Sequence, residues 1–214
     1  MYQPAHFKED DPAILREFIR RHPFALLVST AEGRLRADHL PMRLVNSGEE
    51  GTLALEGHVA RAGALWRELS EDDEVLVVFR GADAYISPSC YPTKAATHRV
   101  VPTWNHAAVH ARGRIRFFDD AVRLRAMLSA LTDQQERLQT APWRVDDAPT
   151  DYIEQLMRTI VGLEIGLTEL TGKFKASQNR TPADRDGVRR ALQSRSAEDL
   201  AELVRDPHDI PGNS

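Results

Sequence analysis

The stretch VVPTWNHAAVHARGRIR at residues 100–116 decides the fold class, because it carries the pattern of a long β-strand. In its second half, apolar or small residues alternate with polar ones from Val109 to Phe117, which is the period of a strand with one buried face. The first half is polar and aromatic instead. We therefore expect one strand over 101–117 that bends midway.

Further strand patterns lie on both sides of this stretch. They cover residues 24–30, 34–45, 52–58, 73–79, 85–86 and 160–170, with turns predicted at Gly33, 47–51 and Gly81. Helices are predicted over about 12–22, 61–69, 119–131 and 150–158, with Asp10 or Asp11 and Thr150 as caps. The sequence thus predicts a mainly β domain with helices (α+β), in which the strand over 160–170 completes a barrel.

The character of the chain changes after Gly172, where GKFKASQNR is basic and polar. Two short helices are predicted beyond it, starting at Thr181–Pro182 and at Ser196, and the end over 207–214 is expected to be frayed. We therefore expect a barrel domain over 1–171 and a basic C-terminal helical tail over 172–214.

Composition narrows the functional class. Of 214 residues, 42% are hydrophobic and 28% charged, which is ordinary globular usage. We expect a cytoplasmic protein with no membrane partner, because no apolar run approaches the roughly 20 residues of a bilayer span and no secretory leader is evident.

Cys90 is the only cysteine, which excludes an intramolecular disulfide and a CxxC site. A net charge of −4 means that any DNA contact requires a local basic patch.

The common enzyme motifs are missing. The chain contains no GxGxxG, GxxxxGK[ST], HExxH or GxSxG motif, so no catalytic residue can be assigned. Cys90 has no cysteine-enzyme motif around it, which argues against a nucleophile. His106 and His110 lie about 13 Å apart along an extended strand, too far to ligate one metal, and we predict no metal site.

The stretch EGHVARAGALW at residues 56–66 is a candidate anion site. A strand runs into a helix that is predicted to begin near Ala60, which places His58 and Arg61 beside free backbone N–H groups. Arg61 can bind phosphate oxygens in a forked geometry and His58 can donate one further hydrogen bond. The alternative is that Arg61 is solvated and His58 a satisfied residue at a strand end.

Two other stretches suit a planar ligand. In FRGADAYISPSCYPTK at 79–94, Tyr91 offers an aromatic face and Lys94 a point charge, although a rigid surface loop explains the same residues. The run from Thr103 through Trp104 and Asn105 to His106 forms a polar and aromatic ledge for a flat ring or for a dimer partner.

Six ordered blocks resemble the PaiB family of FMN-binding negative transcriptional regulators. They are MYQPAHF, DHLPMRL, EGHVARA, FRGADAYISPS, VPTWNHAAVHARGR and TGKFKASQNR, and together they extend from residue 1 to residue 180. The resemblance implies an FMN-binding split β-barrel related to pyridoxamine-phosphate oxidases and flavin reductases, a homodimer, and FMN at the dimer interface with its phosphate near His58 and Arg61. Gly63, Cys90 and His106 depart from the Asn, Trp and Tyr that the family pattern leads us to expect.

The expected cofactor-binding residues follow from these motifs. They are His58, Arg61, Lys94, Thr103, Trp104, Asn105, Lys173 and Gln178. The resemblance implies a negative regulator of stress or developmental genes, and the basic tail over 173–195 is a possible DNA contact. The alternatives are an FMN-dependent oxidoreductase, with His106, His110, Lys94 or Arg180 orienting a small substrate, and a haem-binding split barrel.

Overall fold

The structure, a computed structural model, describes residues 1–47 and 52–204. Its strands are β1 Lys8–Glu9, β2 Phe24–Ala31, β3 Arg34–Pro41, β4 Arg43–Asn46, β5 Leu53–Ala60, β6 Glu74–Ile86, β7 Thr103–Phe118 and β8 Ile160–Lys175. Its α-helices are α1 Pro12–Arg21, α2 Leu65–Glu68, α3 Thr93–Thr97, α4 Ala121–Glu136, α5 Thr150–Met157, α6 Pro182–Gln193 and α7 Glu198–Leu203. Most of the turn predicted over 47–51, namely residues 48–51, lies outside the described residues, as does the predicted frayed end at 207–214.

One sheet contains all the described strands. Its order is β3-β2-β6-β7-β8-β5-β4, and the short β1 pairs with β8. Strands β5 and β8 pair in antiparallel orientation, in a register that places Leu55 opposite Ile165. Across the described strands the order has two ends, β3 and β4, so the sheet is open. The expectation that the strand over 160–170 completes a barrel is wrong, because β8 lies inside the sheet with both edges occupied.

The β2–β3 hairpin shows how local sequence sets the register. Ala31 pairs with Arg34, which leaves Glu32 and Gly33 as a two-residue loop. Both have positive φ, 51° and 73°, and a turn of this kind matches the twist of antiparallel strands. The predicted turn at Gly33 is confirmed.

Two strand predictions differ from the structure. The strand predicted over 34–45 is broken at Met42, whose backbone N–H donates to the Pro23 carbonyl oxygen at 2.8 Å. The turn predicted at Gly81 is absent, since β6 runs unbroken from Glu74 to Ile86. A glycine weakens a strand only modestly, and pairing with neighbouring strands overrides it.

The helix ends show which caps form. Asp11 accepts the N–H of Ala13 at 2.7 Å, which confirms the predicted cap of α1. Thr181 likewise caps α6 through the N–H of Asp184. The predicted Thr150 cap is wrong, because α5 begins at Thr150 and the preceding Pro149 provides no side-chain cap.

The chain forms two compact units. Unit 1 comprises Met1–Phe18, Arg80–Val109 and Thr171–Ser214, and unit 2 comprises Ile19–Phe79 and His110–Leu170. The core of unit 1 includes Ile86, Tyr91, Ala176, Val188, Leu192 and Leu200. A cluster in unit 2 consists of Leu124, Met127, Val145, Ile153 and Met157. The helices of the predicted tail therefore bury side chains in unit 1, and the boundary at residue 171 stays a prediction.

No helix in the described part of the chain is long and apolar enough to cross a membrane.

Candidate functional site

The predicted cofactor residues fall into both units. His58 and Arg61 belong to unit 2, whereas the others belong to unit 1. The latter are Lys94, Thr103, Trp104, Asn105, Lys173 and Gln178.

The predicted helix N-terminus at Arg61 does not form. Helix α2 begins at Leu65 and is a single turn, Leu65–Glu68. The Arg61 N–H donates to the Thr159 carbonyl oxygen at 2.8 Å and the Gly63 N–H to the Ala60 carbonyl oxygen at 2.9 Å. These backbone groups are therefore already satisfied, and the expectation of free N–H groups at this position is wrong.

The Arg61 side chain is held by groups of its own unit. Its guanidinium forms a two-pronged ion pair with Asp119. It also donates at 2.9 Å to the carbonyl oxygens of Arg158 and Ile160. The hydrogen bond from Arg61 holds the pKa of Asp119 below its ordinary value. Asp119 and Glu154 line the same 440 Å³ cavity as Arg61, so two carboxylates accompany the arginine.

His58 lies on β5, opposite Gly162 of β8. Burial lowers the pKa of its imidazole, which favours the neutral form. Its Nδ1 is buried and has no hydrogen-bond partner among the described residues. His58 is therefore the one of the two predicted phosphate-binding residues that retains an unused polar atom.

In unit 1, three cations of the β8 end form a cluster, which we call the β8 cluster: Lys173, Lys175 and Arg180. The Lys175 Nζ donates to the Thr103 Oγ1 at 2.5 Å. Burial, followed by the charges of Lys173 and Arg180, lowers the pKa of Lys175. Burial, followed by the charges of Lys173 and Lys175, lowers the pKa of His106. Positive charge is thus concentrated beside the start of β7.

None of the β8 cluster side chains has a carboxylate within 4.0 Å among the described residues. The Lys173 Nζ donates to the Tyr2 carbonyl oxygen at 2.9 Å instead. The Arg180 guanidinium carbon lies 4.8 Å from the centre of the Tyr91 ring. Carbonyl oxygens and aromatic faces offset part of the positive charge and supply no counter-ion. The cluster is suited to a bound anion.

Asn105 is fully buried beside this cluster. Its Nδ2 donates to the Ser177 Oγ at 2.9 Å, and its Oδ1 has no partner among the described residues. Ser177 has a φ of 66°, a left-handed backbone conformation that is uncommon for a residue with a side chain. A buried amide with one unused end and a strained neighbour is a feature of binding sites.

Trp104 presents an aromatic face, and 53% of the residue is exposed. Its Nε1 donates to the Asp83 Oδ1 at 2.7 Å, and this bond lowers the pKa of Asp83. The Tyr85 ring contacts it edge to face, with ring centres 6.1 Å apart. The indole is therefore oriented by its neighbours and still accessible.

Two predicted residues occupy other positions. Gln178 bonds to its own segment, accepting the Ala176 N–H at 2.7 Å and donating to the Phe174 carbonyl oxygen. Lys94 lies on α3 and lines an open cleft with Arg190 and Arg195. Gln178 thus stabilises the backbone at the end of β8, whereas Lys94 lines a separate cleft.

Sequence reasoning gives Lys175 and Ser177 no role in cofactor binding, and it counts Lys175 only among the cations of the basic tail. β8 was predicted to end near residue 170, but it continues to Lys175. Once it is extended, the alternation of Lys173, Phe174 and Lys175 places both lysines on one face. That alternation is the feature of the sequence from which the role of Lys175 could have been predicted. In the described residues, no group of three or more His, Cys, Asp or Glu side chains is arranged to hold a metal.

Comparison with known proteins places this geometry in a family. The family model described as "Putative FMN-binding domain" matches residues 1–169. An uncharacterized protein of Emericella nidulans is 35% identical over 222 residues, covering 88% of each chain. "Protease synthase and sporulation protein PAI 2" of Bacillus subtilis is 30% identical over 209 residues, covering 96% of this chain and 97% of that protein.

Among solved structures, the FAD and haem binding protein from Mycobacterium smegmatis is similar in fold. The TM-score is 0.57 at 18% identity, covering 78% of this chain and 73% of that one. Together with the mostly antiparallel open sheet, this likeness confirms the predicted class, a split β-barrel. The chain belongs to the FMN-binding domain family, and the predicted PaiB relationship and FMN cofactor are confirmed.

Proposed function

We propose that FMN binds in unit 1, with its phosphate at the β8 cluster. The proposal depends on one observation: Lys173, Lys175 and Arg180 have no carboxylate partner among the described residues, although burial and then mutual repulsion already lower the pKa of Lys175. Lysine and arginine are the usual phosphate-binding side chains, and a dianion would relieve this repulsion. Arg61, by contrast, is already paired with Asp119.

The flavin ring would lie beside Trp104. The accessible indole, oriented by Asp83, offers a surface for a flat ring. Asn105, the next residue on β7, points to the opposite, buried face and would support the site through its hydrogen bond to Ser177. FMN supplies redox chemistry when bound, and the chain supplies position and charge.

The test compares FMN with riboflavin, which lacks the phosphate. Fluorescence titration of wild-type protein should give tighter binding of FMN by roughly 10- to 150-fold, the equivalent of about 1.5–3 kcal/mol for a charged hydrogen bond. Lys175→Met should remove most of this preference, and Trp104→Ala should weaken both ligands alike. Arg61→Met is the matched control. If Arg61→Met removes the preference and Lys175→Met retains it, the phosphate binds at His58 and Arg61.

We further propose that the protein is a homodimeric, cytoplasmic transcriptional regulator of the PaiB type. The support is similarity along nearly the whole chain to PAI 2, whose name links it to protease synthesis and sporulation. Light scattering on the FMN-loaded protein should give the mass of two chains. A single-chain mass would contradict the dimer.

Regulation through the bound flavin is better supported than direct DNA contact by the tail. Several tail cations are engaged inside the chain: Arg185 donates to the Arg180 carbonyl oxygen, and Arg189 to that of Val204. We expect weak binding to random duplex DNA that changes little with salt. A steep salt dependence would support direct contact, and steady NAD(P)H oxidation by the FMN-loaded protein would favour the oxidoreductase alternative.

A further inference from the structure

Unit 1 contains an open cleft of about 870 Å³ that the FMN proposal does not use. Its walls are the turn at Ser87–Pro92, helix α3 and helix α6. It is lined by Ser87, Ser89, Cys90, Tyr91, Pro92, Lys94, Ala95, His98, Gly187, Arg190, Ala191 and Arg195. Its volume is in the range of small-molecule sites. The α6 wall lies beyond residue 169, where the family match ends.

The walls of the cleft are fixed to each other. Asp184 of α6 is 3% exposed and accepts two bonds from Thr93, the backbone N–H at 3.1 Å and the hydroxyl at 2.8 Å. A Cβ at Gly187 would lie 2.1 Å from the Cys90 carbonyl oxygen. Only glycine permits this approach of α6 to the turn, so the cleft has a defined width.

The cleft is positively charged. Lys94, Arg190 and Arg195 line it together with His98, and none of its described lining residues is a carboxylate. Lys94 and Arg190 have no ion pair or side-chain hydrogen bond among the described residues, and Arg195 makes one long bond, 3.4 Å, to the Tyr85 carbonyl oxygen. A concave surface lined by cations of one sign attracts anions strongly.

The cleft also contains hydroxyl groups that can complete an anion site. Ser87 and Ser89 are at its wall. Tyr91 is only 2% exposed; its buried hydroxyl makes no hydrogen bond of full geometry among the described residues, and the Arg180 guanidinium is close to it. A buried hydroxyl left unpaired is costly, and a ligand oxygen would satisfy it.

We propose that this cleft is a second anion site, separate from the flavin site, that binds a small phosphorylated molecule carrying two or more negative charges. Thr103, Trp104, Asn105, Lys173 and Lys175 do not line it. Three permanent cations in a concavity match a small polyanion. A DNA duplex requires a longer basic surface, with about 6–10 phosphate contacts in well-studied cases. Lys94 then binds this ligand and not FMN.

The experiment is calorimetric titration of the FMN-loaded protein with inorganic pyrophosphate and, separately, with inorganic phosphate at low salt. Pyrophosphate should bind at one site per chain and more tightly than phosphate. Arg190→Gln and Lys94→Gln should each weaken pyrophosphate about tenfold or more, since each removes a charged contact from the ligand. Both positions are exposed helix positions where glutamine is well tolerated. Arg34→Gln, an exposed arginine on β3, is the charge-matched control and should leave pyrophosphate binding unchanged.

FMN affinity, measured on the same variants, separates this site from the flavin site. Unchanged FMN binding in Arg190→Gln and Lys94→Gln supports two sites, even if the phosphate of FMN proves to bind at Arg61. Parallel loss of FMN and pyrophosphate binding would overturn the proposal, because the cleft would then be the flavin site. Absence of saturable pyrophosphate binding would also overturn it, as would a random duplex that binds with steep salt dependence through Lys94 and Arg190 and is not displaced by pyrophosphate.

Discussion

Arg61 in unit 2 is predicted from sequence to lie near a bound phosphate and Lys175 in unit 1 is not, and the two side chains differ in their partners. Arg61 has a carboxylate and two carbonyl oxygens in contact with its guanidinium. Lys175 has a threonine hydroxyl, two neighbouring cations and an aromatic ring. One positive charge is neutralised within the folded chain and the other is not.

A basic residue in a motif is therefore weaker evidence for an anion site than the absence of a counter-ion beside it. An ion pair already formed must be broken before a ligand can use the arginine, which costs part of the binding energy. An uncompensated cation gains a partner on binding.

The largest effect is expected from giving Lys175 its own carboxylate. In Thr103→Asp the new acid would replace the hydroxyl that Lys175 now contacts at 2.5 Å. FMN affinity should fall by roughly 100-fold, because a lost charged hydrogen bond is worth about 1.5–3 kcal/mol and repulsion adds to it. The FMN-free protein should become more stable in thermal unfolding, since the partly buried lysine acquires a counter-ion.

Thr103→Asn is the matched control, with the same shape as the aspartate and no charge. Its FMN affinity should fall much less than that of Thr103→Asp. Equal losses in the two variants would mean that Thr103 matters for packing or hydrogen bonding, and that the charge of the cluster does not select the ligand.

A smaller effect is expected from removing the counter-ion of Arg61. Asp119→Asn should lower thermal stability slightly at pH 7, because the folded-state pKa of Asp119 is lowered by the hydrogen bond from Arg61. That contribution is present above the unfolded pKa near 3.8 and is lost as the pH falls through the folded pKa. The variant should therefore match wild-type stability in acid.

The same variant tests the role of Arg61 in cofactor binding. If the phosphate binds at the β8 cluster, FMN affinity should stay within about twofold of wild type, well below the roughly tenfold that 1.4 kcal/mol produces. A clear gain in FMN affinity in Asp119→Asn would indicate that Arg61, once released, binds the phosphate.

The fold was largely predictable because strand periodicity is a local property. The alternation over 109–117 and the turn at Gly33 specify elements that the structure contains. What could not be predicted depends on distant pairing. The continuity of β6 through Gly81 and of β8 to Lys175 comes from neighbouring strands, and no window of sequence shows which strand lies beside which.

The site was predictable in residue type and less so in arrangement. Motifs identified Thr103, Trp104 and Asn105, which the structure places together on β7. They could not indicate that Asp119, 58 positions from Arg61, neutralises it. Counter-ions come from any part of the chain, so the charge state of a site is a property of the fold.

The smallest effect concerns two histidines of β7, His106 and His110. Burial lowers the pKa of both below the ordinary 6.5, and unfolding returns them to it. Between the folded pKa and 6.5 the unfolded chain binds more protons, so stability rises with pH through this window and falls in acid. Thermal unfolding of His106→Gln and of His110→Gln should each show a slightly flatter pH dependence than wild type.

The two histidines should respond differently to inorganic phosphate. The charges of Lys173 and Lys175 contribute to the low pKa of His106, whereas Arg112 is the charged side chain that lowers that of His110. An anion at the β8 cluster would offset the positive charge of both lysines. Their repulsion of the protonated imidazole would then weaken, which favours the charged form of His106. In an NMR titration of the FMN-free protein, phosphate should therefore raise the pKa of His106 and leave that of His110 in place. Equal shifts at both histidines would reflect general ionic screening, and the distinction between neutralised and uncompensated cations would then not govern anion binding in this chain.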